Sequence, residues 1–338
     1  MDGPGKALIT GGAGFIGSHL SQLLLERGWE VYALDDLSTG SVANVAHLRD
    51  DPRFHLVVES VLSPSVVSEL VFKCDVVYHL AAAVGVRLIV EQPGRTLLTN
   101  VQGTETVLEY CARFDKPVLI ASSSEVCGDH PEEQQPLRED ARRIYGPTTA
   151  KRWAYADSKA LDEFLALALR EERGLRVVIA RLFNTVGPRQ SGRYGNVIPR
   201  FVGAALAGEP FEIHGDGTQT RCFCHVSDTV RALVGLAESG ETRGEIYNVG
   251  STDPVTINEL AESVRQATGS ASELLYVPYE QVYGQGIDEM FQRIPAIEKI
   301  QASIGWRPTV GLDQILTEVI EYQHGETPRA PAAESTAP

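Results

Sequence analysis

The sequence predicts an α/β chain built on a doubly wound parallel sheet, and three observations predict it. Short apolar runs alternate with amphipathic stretches at helical spacing. The first run passes directly into glycines, Thr10-Gly11-Gly12-Ala13-Gly14-Phe15-Ile16-Gly17. The second run ends in a pair of acids, Asp35 and Asp36. Strands alternating with helices imply parallel βαβ units and a sheet covered on both faces.

The elements follow in order. Ala7 to Thr10 reads as a strand. Phe15 to Arg27 reads as a helix, with Phe15, Ile16, Leu20, Leu23 and Leu24 at helical spacing and Gly28 at its end. Glu30 to Asp35, Asp75 to Leu80, Pro117 to Ala121 and Arg176 to Ala180 read as further strands, with helices over Thr96 to Phe114 and Ala156 to Arg173 between them. After Asn184 glycine and proline become denser, as in Gly187-Pro188 and Gly215-Asp216-Gly217, and the chain reads as a smaller, loop-rich lobe. The predicted division is a Rossmann-type dinucleotide-binding domain over 1–183 with a return segment at about 222–248, and a smaller α/β lobe over 184–221 and 249–323. Residues 324–338, rich in Ala, Pro, Glu and Thr, read as a disordered tail.

Composition narrows the function. The 338 residues carry a net charge of −15, which argues against a general nucleic-acid binder. An anionic ligand must then be held by local donors and not by the field of the whole chain. No apolar run approaches the roughly 18–20 residues that span a bilayer, and the first residues lack a secretory apolar region. The five cysteines are scattered and odd in number, which predicts a cytoplasmic, reduced protein without disulfides. Cys222 and Cys224 alternate on one strand face without a second Cys/His pair at zinc spacing, so no metal is predicted.

Gly11, Gly14 and Gly17 have the spacing of a dinucleotide-binding turn. Gly11 permits the tight turn, Gly14 lets a pyrophosphate approach the backbone, and Gly17 lets the helix pack on the sheet. The helix that opens with Phe15 and Ile16 offers free N–H groups and the positive end of its dipole to phosphate. Asp35, at the end of the second strand with Asp36 beside it, is placed for adenosine ribose hydroxyls. A carboxylate there repels a 2′-phosphate, so the predicted cofactor is NAD in preference to NADP.

Tyr155 and Lys159 stand four apart on a predicted helix and share a face. The nearby ammonium favours tyrosinate and lowers the phenol toward working pH, which makes Tyr155 a base for an alcohol whose carbon loses hydride.

With these motifs the chain resembles the extended short-chain dehydrogenase/reductases, the NAD-dependent sugar-nucleotide epimerases and dehydratases. The resemblance covers Ala7 to about Gln323. It rests on Gly11 to Gly17, His79-Leu80-Ala81-Ala82, Thr99-Asn100, Ser122 to Gly128, Tyr155 with Lys159, Arg181 to Arg189, Gly215 to Arg221, and His225 to Asp228. It implies bound NAD, with Leu80, Ala81 and Ala82 at the cofactor and Ser60 and Val61 where the family contacts adenine. Asn100 suits either the nicotinamide pocket or packing. It also implies a nucleoside diphosphate sugar between two lobes, and a homodimer through the helices Thr96–Phe114 and Ala156–Arg173.

The branch is read at Ser123-Ser124-Glu125-Val126-Cys127-Gly128. The 4-epimerases usually lack an acid there, and the 4,6-dehydratases carry Thr-Asp-Glu. The UDP-glucuronate decarboxylases, or UDP-xylose synthases, carry Thr-Ser-Glu-Val-Tyr-Gly, which this stretch resembles most. The resemblance implies Ser123 at the C4 oxygen beside Tyr155, and Glu125 near C5. Gln292-Arg293-Ile294-Pro295-Ala296-Ile297, followed by Gly305-Trp306, resembles a decarboxylase segment whose arginine enters the active site, so Arg293 is assigned to a carboxylate or diphosphate. Cys127 departs from the family's usual tyrosine, and Gly85 to Val90 does not match the usual decarboxylase residues at the sugar. For the UDP-sugar the candidates are Asn184, Arg189, Arg193, Asn196, Val197, Arg200 and Arg221. Of these, Arg189, Arg193 and Arg200 suit surface roles equally well. The leading reading is an NAD-dependent UDP-glucuronate decarboxylase giving a UDP-pentose such as UDP-xylose. A UDP-sugar 4-epimerase is the alternative, and a 4,6-dehydratase, whose acid is missing, stands behind it.

Overall fold

The computed structural model describes residues 4–84, 93–131, 135–192, 195–283 and 292–326. Arg193, the loop Gly85 to Val90 and the tail beyond residue 326 lie outside the described residues. Thirteen strands are described: β1 Lys6–Thr10, β2 Glu30–Asp35, β3 Phe54–Val58, β4 Val76–His79, β5 Val118–Ser123, β6 Val177–Leu182, β7 Thr185–Val186, β8 Phe211–His214, β9 Thr220–Cys222, β10 Cys224–His225, β11 Ile246–Val249, β12 Pro254–Thr256 and β13 Leu274–Val277. The helices are α1 Phe15–Glu26, α2 Pro64–Lys73, α3 Pro93–Arg113, α4 Arg152–Arg173, α5 Val197–Ala207, α6 Val226–Glu238, α7 Ile257–Thr268, α8 Tyr279–Tyr283, α9 Glu298–Ile304 and α10 Leu312–Glu326.

Seven strands form one parallel sheet in the order β11-β6-β5-β4-β1-β2-β3. The chain winds outward from β1 through β2 to β3, then returns to β4 on the other side of β1. That reversal opens a crevice at the carboxyl ends of β1 and β4, where ligands bind in such sheets. The strands are near-continuous apolar runs because both faces are covered. On one face Leu20, Leu24, Leu233 and Leu236 pack with Ile9 and Val31. On the other, Val67, Val71, Leu108 and Ala166 pack with Leu8, Val77 and Ile179.

The smaller lobe has a separate core. Phe201 and Phe211 stack within it, and α5, α7 and α10 contribute Ile198, Leu260 and Leu316. Strands β8 with β13, β9 with β12, and β7 with β10 make short two-stranded pairings.

Several boundaries differ from the sequence reading. β5 runs on through Ser122 and Ser123, because these pair with Arg181 and Leu182 of β6. α4 begins at Arg152, so Tyr155 lies inside the first turn and not at the opening. β3, Phe54-His55-Leu56-Val57-Val58, is a strand absent from the sequence reading and adds the outer edge of the sheet. α10 carries residues 324–326 as helix where composition suggests a tail.

Asp228 joins the C-terminal chain to the large sheet. Its Oδ2 accepts from Thr309 N at 2.7 Å and Val310 N at 3.0 Å, its Oδ1 accepts from Thr309 Oγ1 at 2.8 Å, and its carbonyl accepts from Trp306 Nε1 at 2.9 Å. Burial pushes this carboxyl up, but the two N–H donors, Arg231 and the Thr309 hydroxyl outweigh it, and the group titrates below its ordinary value. A lowered carboxyl stabilises the fold above its unfolded pKa of about 3.9, and that stability is lost as pH falls through the folded value. Asp228→Asn keeps the shape and loses half of the acceptor set. It is expected to cost about 2–3 kcal/mol in urea unfolding at neutral pH, and the gap between variant and parent should close in acid.

Candidate active site

The glycine turn lies between β1 and α1 as read. Gly11 has φ +72° and Gly17 presses on it: a Cβ on Gly17 would stand 2.1 Å from the Gly11 carbonyl oxygen. A Cβ on Gly11 would stand 2.9 Å from Ala81 N, so the turn also abuts the segment after β4. Gly14 caps α1 without any side-chain hydrogen bond, which leaves the amides of the first turn, with Phe15 and Ile16, to a ligand. This is a cradle that side chains would fill.

Asp35 does more than the sequence reading gives it. Its Oδ2 accepts from Ala13 N at 2.9 Å and its Oδ1 from Leu37 N at 2.8 Å, so it ties the glycine turn to the end of β2. Burial raises its carboxyl above the ordinary value, against those amide bonds. Asp36 is exposed and caps its own turn through Ser38 N. Glu59 N bonds the Asp35 carbonyl, which sets Ser60 and buried Val61 beside the same strand end.

Leu80, Ala81 and Ala82 leave β4 beside Gly11. Asn100 holds the next residue, Ala83: its Oδ1 accepts from Ala83 N at 2.7 Å, and its Nδ2 donates to Ala83 O at 3.4 Å and Ser158 Oγ at 3.2 Å. Of the two readings for Asn100, the described contacts are those of a brace between the β4 loop and α4.

Tyr155 and Lys159 share a face of α4, and the Ser123 hydroxyl hydrogen-bonds the Tyr155 phenol. The same Ser123 Oγ accepts from Glu125 N at 3.2 Å, which turns the chain after β5. Lys159 Nζ donates to Asp162 Oδ2 at 3.0 Å, both side chains being buried. The expected lowering of the phenol is therefore corrected. Burial pushes Tyr155 up, Lys159 pulls it down, and Glu125 pushes it up again; the net direction is above its ordinary value.

Glu125 and Arg293, 168 residues apart, form a 2.8 Å ion pair. Arg293 Nη1 also donates to Ser124 Oγ at 3.2 Å, and Arg293 Nε has no partner among the described residues. The arginine is delivered by a short ladder. Ile294 N bonds Gln135 Oε1, Leu137 N bonds Ile294 O, and Ala296 N bonds Leu137 O, while Asn248 Nδ2 bonds the carbonyls of Leu137 and Ala296. No local pattern at Gln135 or Leu137 announces this role.

Two further groups escape the sequence reading. Glu163 accepts from Arg181 at 2.7 and 2.9 Å and from Ser122 at 2.5 Å, a buried cluster under the serine-rich strand end. Asp162, which holds Lys159, is the other. Its one available signal is the spacing of three residues from Lys159, which places it on the same helix face. Cys127 is buried, and burial pushes its thiol up.

The substrate candidates divide. Asn184 Nδ2 reaches the Cys222 carbonyl at 3.4 Å at the junction of the lobes. Asn196 caps α5 in sequence position and bonds Ser191 O, with Val197 beginning the helix. Arg221 lies on β9 with one donor on the Thr220 carbonyl. Arg189 goes elsewhere: its guanidinium donates to Ser18 and Gln22 of α1, so it fastens the lobe junction to that helix. Arg200 bonds His214 at 2.7 Å and lies 3.8 Å from Glu212. Their substrate roles have no support from these contacts.

Among the described residues no helix is long and apolar enough to cross a membrane. No group of three or more potential metal ligands is found among them either.

Comparison with known proteins places this geometry. The chain is 40% identical over 318 residues to a UDP-N-acetyl-alpha-D-glucosaminuronate decarboxylase of Bacillus cytotoxicus, covering 94% of this chain and 97% of that one. It is 35% identical over 317 residues to UDP-glucuronic acid decarboxylase 1 of Danio rerio, covering 94% and 72%. The solved UDP-glucuronic acid 4-epimerase from Bacillus cereus, in complex with UDP-glucuronic acid and NAD, superposes with a TM-score of 0.86 at 28% identity, covering 95% and 99%. A family profile matches residues 7–250, and the chain belongs to the NAD dependent epimerase/dehydratase family.

Proposed function

We propose that this protein is an NAD-dependent decarboxylase of UDP-glucuronic acid or its close relatives. The observation that carries the reading is the Glu125–Arg293 pair beside Tyr155 and Ser123. A 4-epimerase needs only the tyrosine and lysine. A 4,6-dehydratase needs a second acid where Ser124 stands, and Ser124 here accepts from Arg293. The relatives named as decarboxylases support the same branch.

The residues that would hold NAD are the glycine turn and α1 amides for the pyrophosphate, Asp35 for the ribose, Ser60 and Val61 for adenine, and Leu80 to Ala82 with Lys159 toward the nicotinamide. Held there, NAD would supply a reversible hydride acceptor for C4 of the sugar and a positive ring that favours ionisation of Tyr155.

Tyr155 takes the proton of the C4 hydroxyl as C4 becomes a ketone. The C6 carboxylate is then part of a β-keto acid. The C5–C6 bond breaks, CO₂ leaves, and the electron pair passes into the enolate at O4, which Tyr155 and Ser123 meet with hydrogen bonds. Arg293 orients the carboxylate before it leaves. An incoming carboxylate beside Glu125 favours its protonated form, because like charges repel, and Glu125 then delivers a proton to C5 directly or through water. Tyr155 returns its proton to O4 as C4 is reduced. The sum is one carboxylate and one proton consumed, with CO₂ and a UDP-pentose formed. Asn184 and Arg221 are assigned to the diphosphate end.

A second substrate is favoured by the 40% identical relative, whose name specifies the N-acetylated uronate. The oligomer we assign is a homodimer through α3 and α4, where Leu98, Leu161 and Phe164 are exposed at 59%, 49% and 61%. The five cysteines, all free, fit a reducing cytoplasm.

The test is incubation with UDP-glucuronic acid and, in parallel, UDP-N-acetylglucosaminuronic acid, following the sugar by NMR and CO₂ by trapping. A UDP-pentose or its 4-keto form with one CO₂ per sugar is expected, and UDP-galacturonic acid without CO₂ would make the protein an epimerase. Tyr155→Phe should lower turnover by about 10²–10⁴-fold. Arg293→Met and Glu125→Gln, singly and together, should give a coupling of about 1–3 kcal/mol in urea unfolding. A coupling near zero would mean that the pair contributes nothing in solution. Phe164→Glu should shift sedimentation from dimer to monomer.

A further inference from the structure

Asp162 has no part in the reaction as derived, yet it is 2% exposed. A buried ammonium without a counter-charge does not stay charged: lost hydration favours the amine, and buried lysines are known to titrate as low as about 5–6. Some anion must therefore keep Lys159 protonated.

Titratable groups face the lysine from α4, from β4 and from the end of β5. Glu163, on α4, is bound by Arg181 and Ser122. Glu125, after β5, is paired with Arg293. Tyr155, also on α4, is a neutral phenol held above its ordinary range. His79, on β4, is neutral, its ring pushed down to about 3 by burial and by Lys159 itself. Asp162 remains, with Oδ2 at 3.0 Å from Lys159 Nζ and Oδ1 without a hydrogen bond among the described residues.

We propose that Asp162 is a positioning residue: the counter-ion that keeps Lys159 protonated and fixed beside Tyr155 at working pH. The inference deepens the proposed function, since it rests on Tyr155 being the base. A chain of neutral groups backs the carboxylate. Ala81 N donates to Thr10 Oγ1 at 3.2 Å, the Thr10 hydroxyl to His79 Nδ1 at 2.7 Å, and His79 Nε2 to Thr104 Oγ1 at 3.0 Å. The Thr104 hydroxyl then acts on Asp162. With His79 as the Nε2–H tautomer, Ala81 N, the Thr10 hydroxyl and His79 Nε2 each find one acceptor. The cofactor-side segment after β4 is thus linked by hydrogen bonds as far as Thr104.

The test reads Lys159 itself. In protein carrying isotope-labelled lysine, its side-chain resonance is assigned with Lys159→Met and titrated by NMR in the parent and in Asp162→Asn. The parent lysine should stay charged through the neutral range, and in Asp162→Asn its midpoint should fall by about 3–5 units. Turnover of Asp162→Asn should drop at least about tenfold at neutral pH and recover toward the parent as pH is lowered, because acid restores the ammonium. Asp162→Glu should restore part of the loss. An unmoved Lys159 midpoint, or a loss of turnover equal at every pH, would overturn the proposal. Should Asp162→Asn not fold, Asp162→Ser decides: a fall of the same midpoint supports the proposal and an unmoved one overturns it. The titration uses no substrate, so it stands apart from the choice of sugar.

Discussion

Arg293 has to lie against Glu125, and much of the remaining architecture exists to bring it there. Nothing near either residue in sequence can set a 2.8 Å contact between chain segments 168 positions apart. It is set by backbone hydrogen bonds from Leu137 to Ile294 and Ala296, held in place by Asn248 at the end of β11. β11 in turn pairs with β6 in the main sheet. The arginine is therefore referenced to the same sheet that carries Ser123 and Glu125 at the end of β5. A guanidinium on a long flexible stem becomes a fixed donor only when the backbone below it is fixed.

The second constraint is charge burial. Three ion pairs are gathered around the carboxyl end of β5 and the first turns of α4: Glu125 with Arg293, Glu163 with Arg181, and Asp162 with Lys159. Each pair answers a separate need. Arg181 and Glu163, with Ser122, hold the strand end that carries Ser123. Asp162 maintains the lysine. Glu125 and Arg293 stand at the proposed site, with Glu125 acting on Tyr155. Removing one member of a buried pair leaves the other uncompensated, so the cluster tolerates little drift in sequence or geometry.

The large sheet is legible in the sequence because glycine spacing, strand–helix alternation and a terminal acid all point to one topology. Tyr155, Lys159, Ser123 and Glu125 are legible as residue types on recognisable elements. Their partners are not. Asp162 reads as one more polar residue on an amphipathic helix until α4 is packed against β5 and α3. Gln135 and Leu137 acquire their role only from a chain segment that joins them from far away. Arg189 shows the same limit: its sequence position suits a ligand or a structural role equally, and only tertiary packing shows its guanidinium on Ser18 and Gln22 of α1. Local pattern locates chemistry, whereas contacts between distant segments decide what each group is paired with.

The direction of the Tyr155 shift bears on the two protonation states that the proposed cycle uses. A phenol lowered into the working range is largely ionised there, so the base form is populated at the expense of the hydrogen-bond donor. Here burial, Glu125 and Asp162 hold it protonated against the pull of Lys159. A decarboxylase needs that protonated state for the middle of its cycle, when the enolate oxygen carries the charge left by CO₂ and requires a donor. It needs the ionised state only at the opening step, which the field of Lys159 favours. An acid–base group balanced toward its neutral form, with one bias toward the anion, satisfies both demands in sequence. The balance depends on Lys159 remaining charged, so the buried carboxylate that compensates the lysine belongs to the physical basis of the enolate step as well as to the stability of the helix.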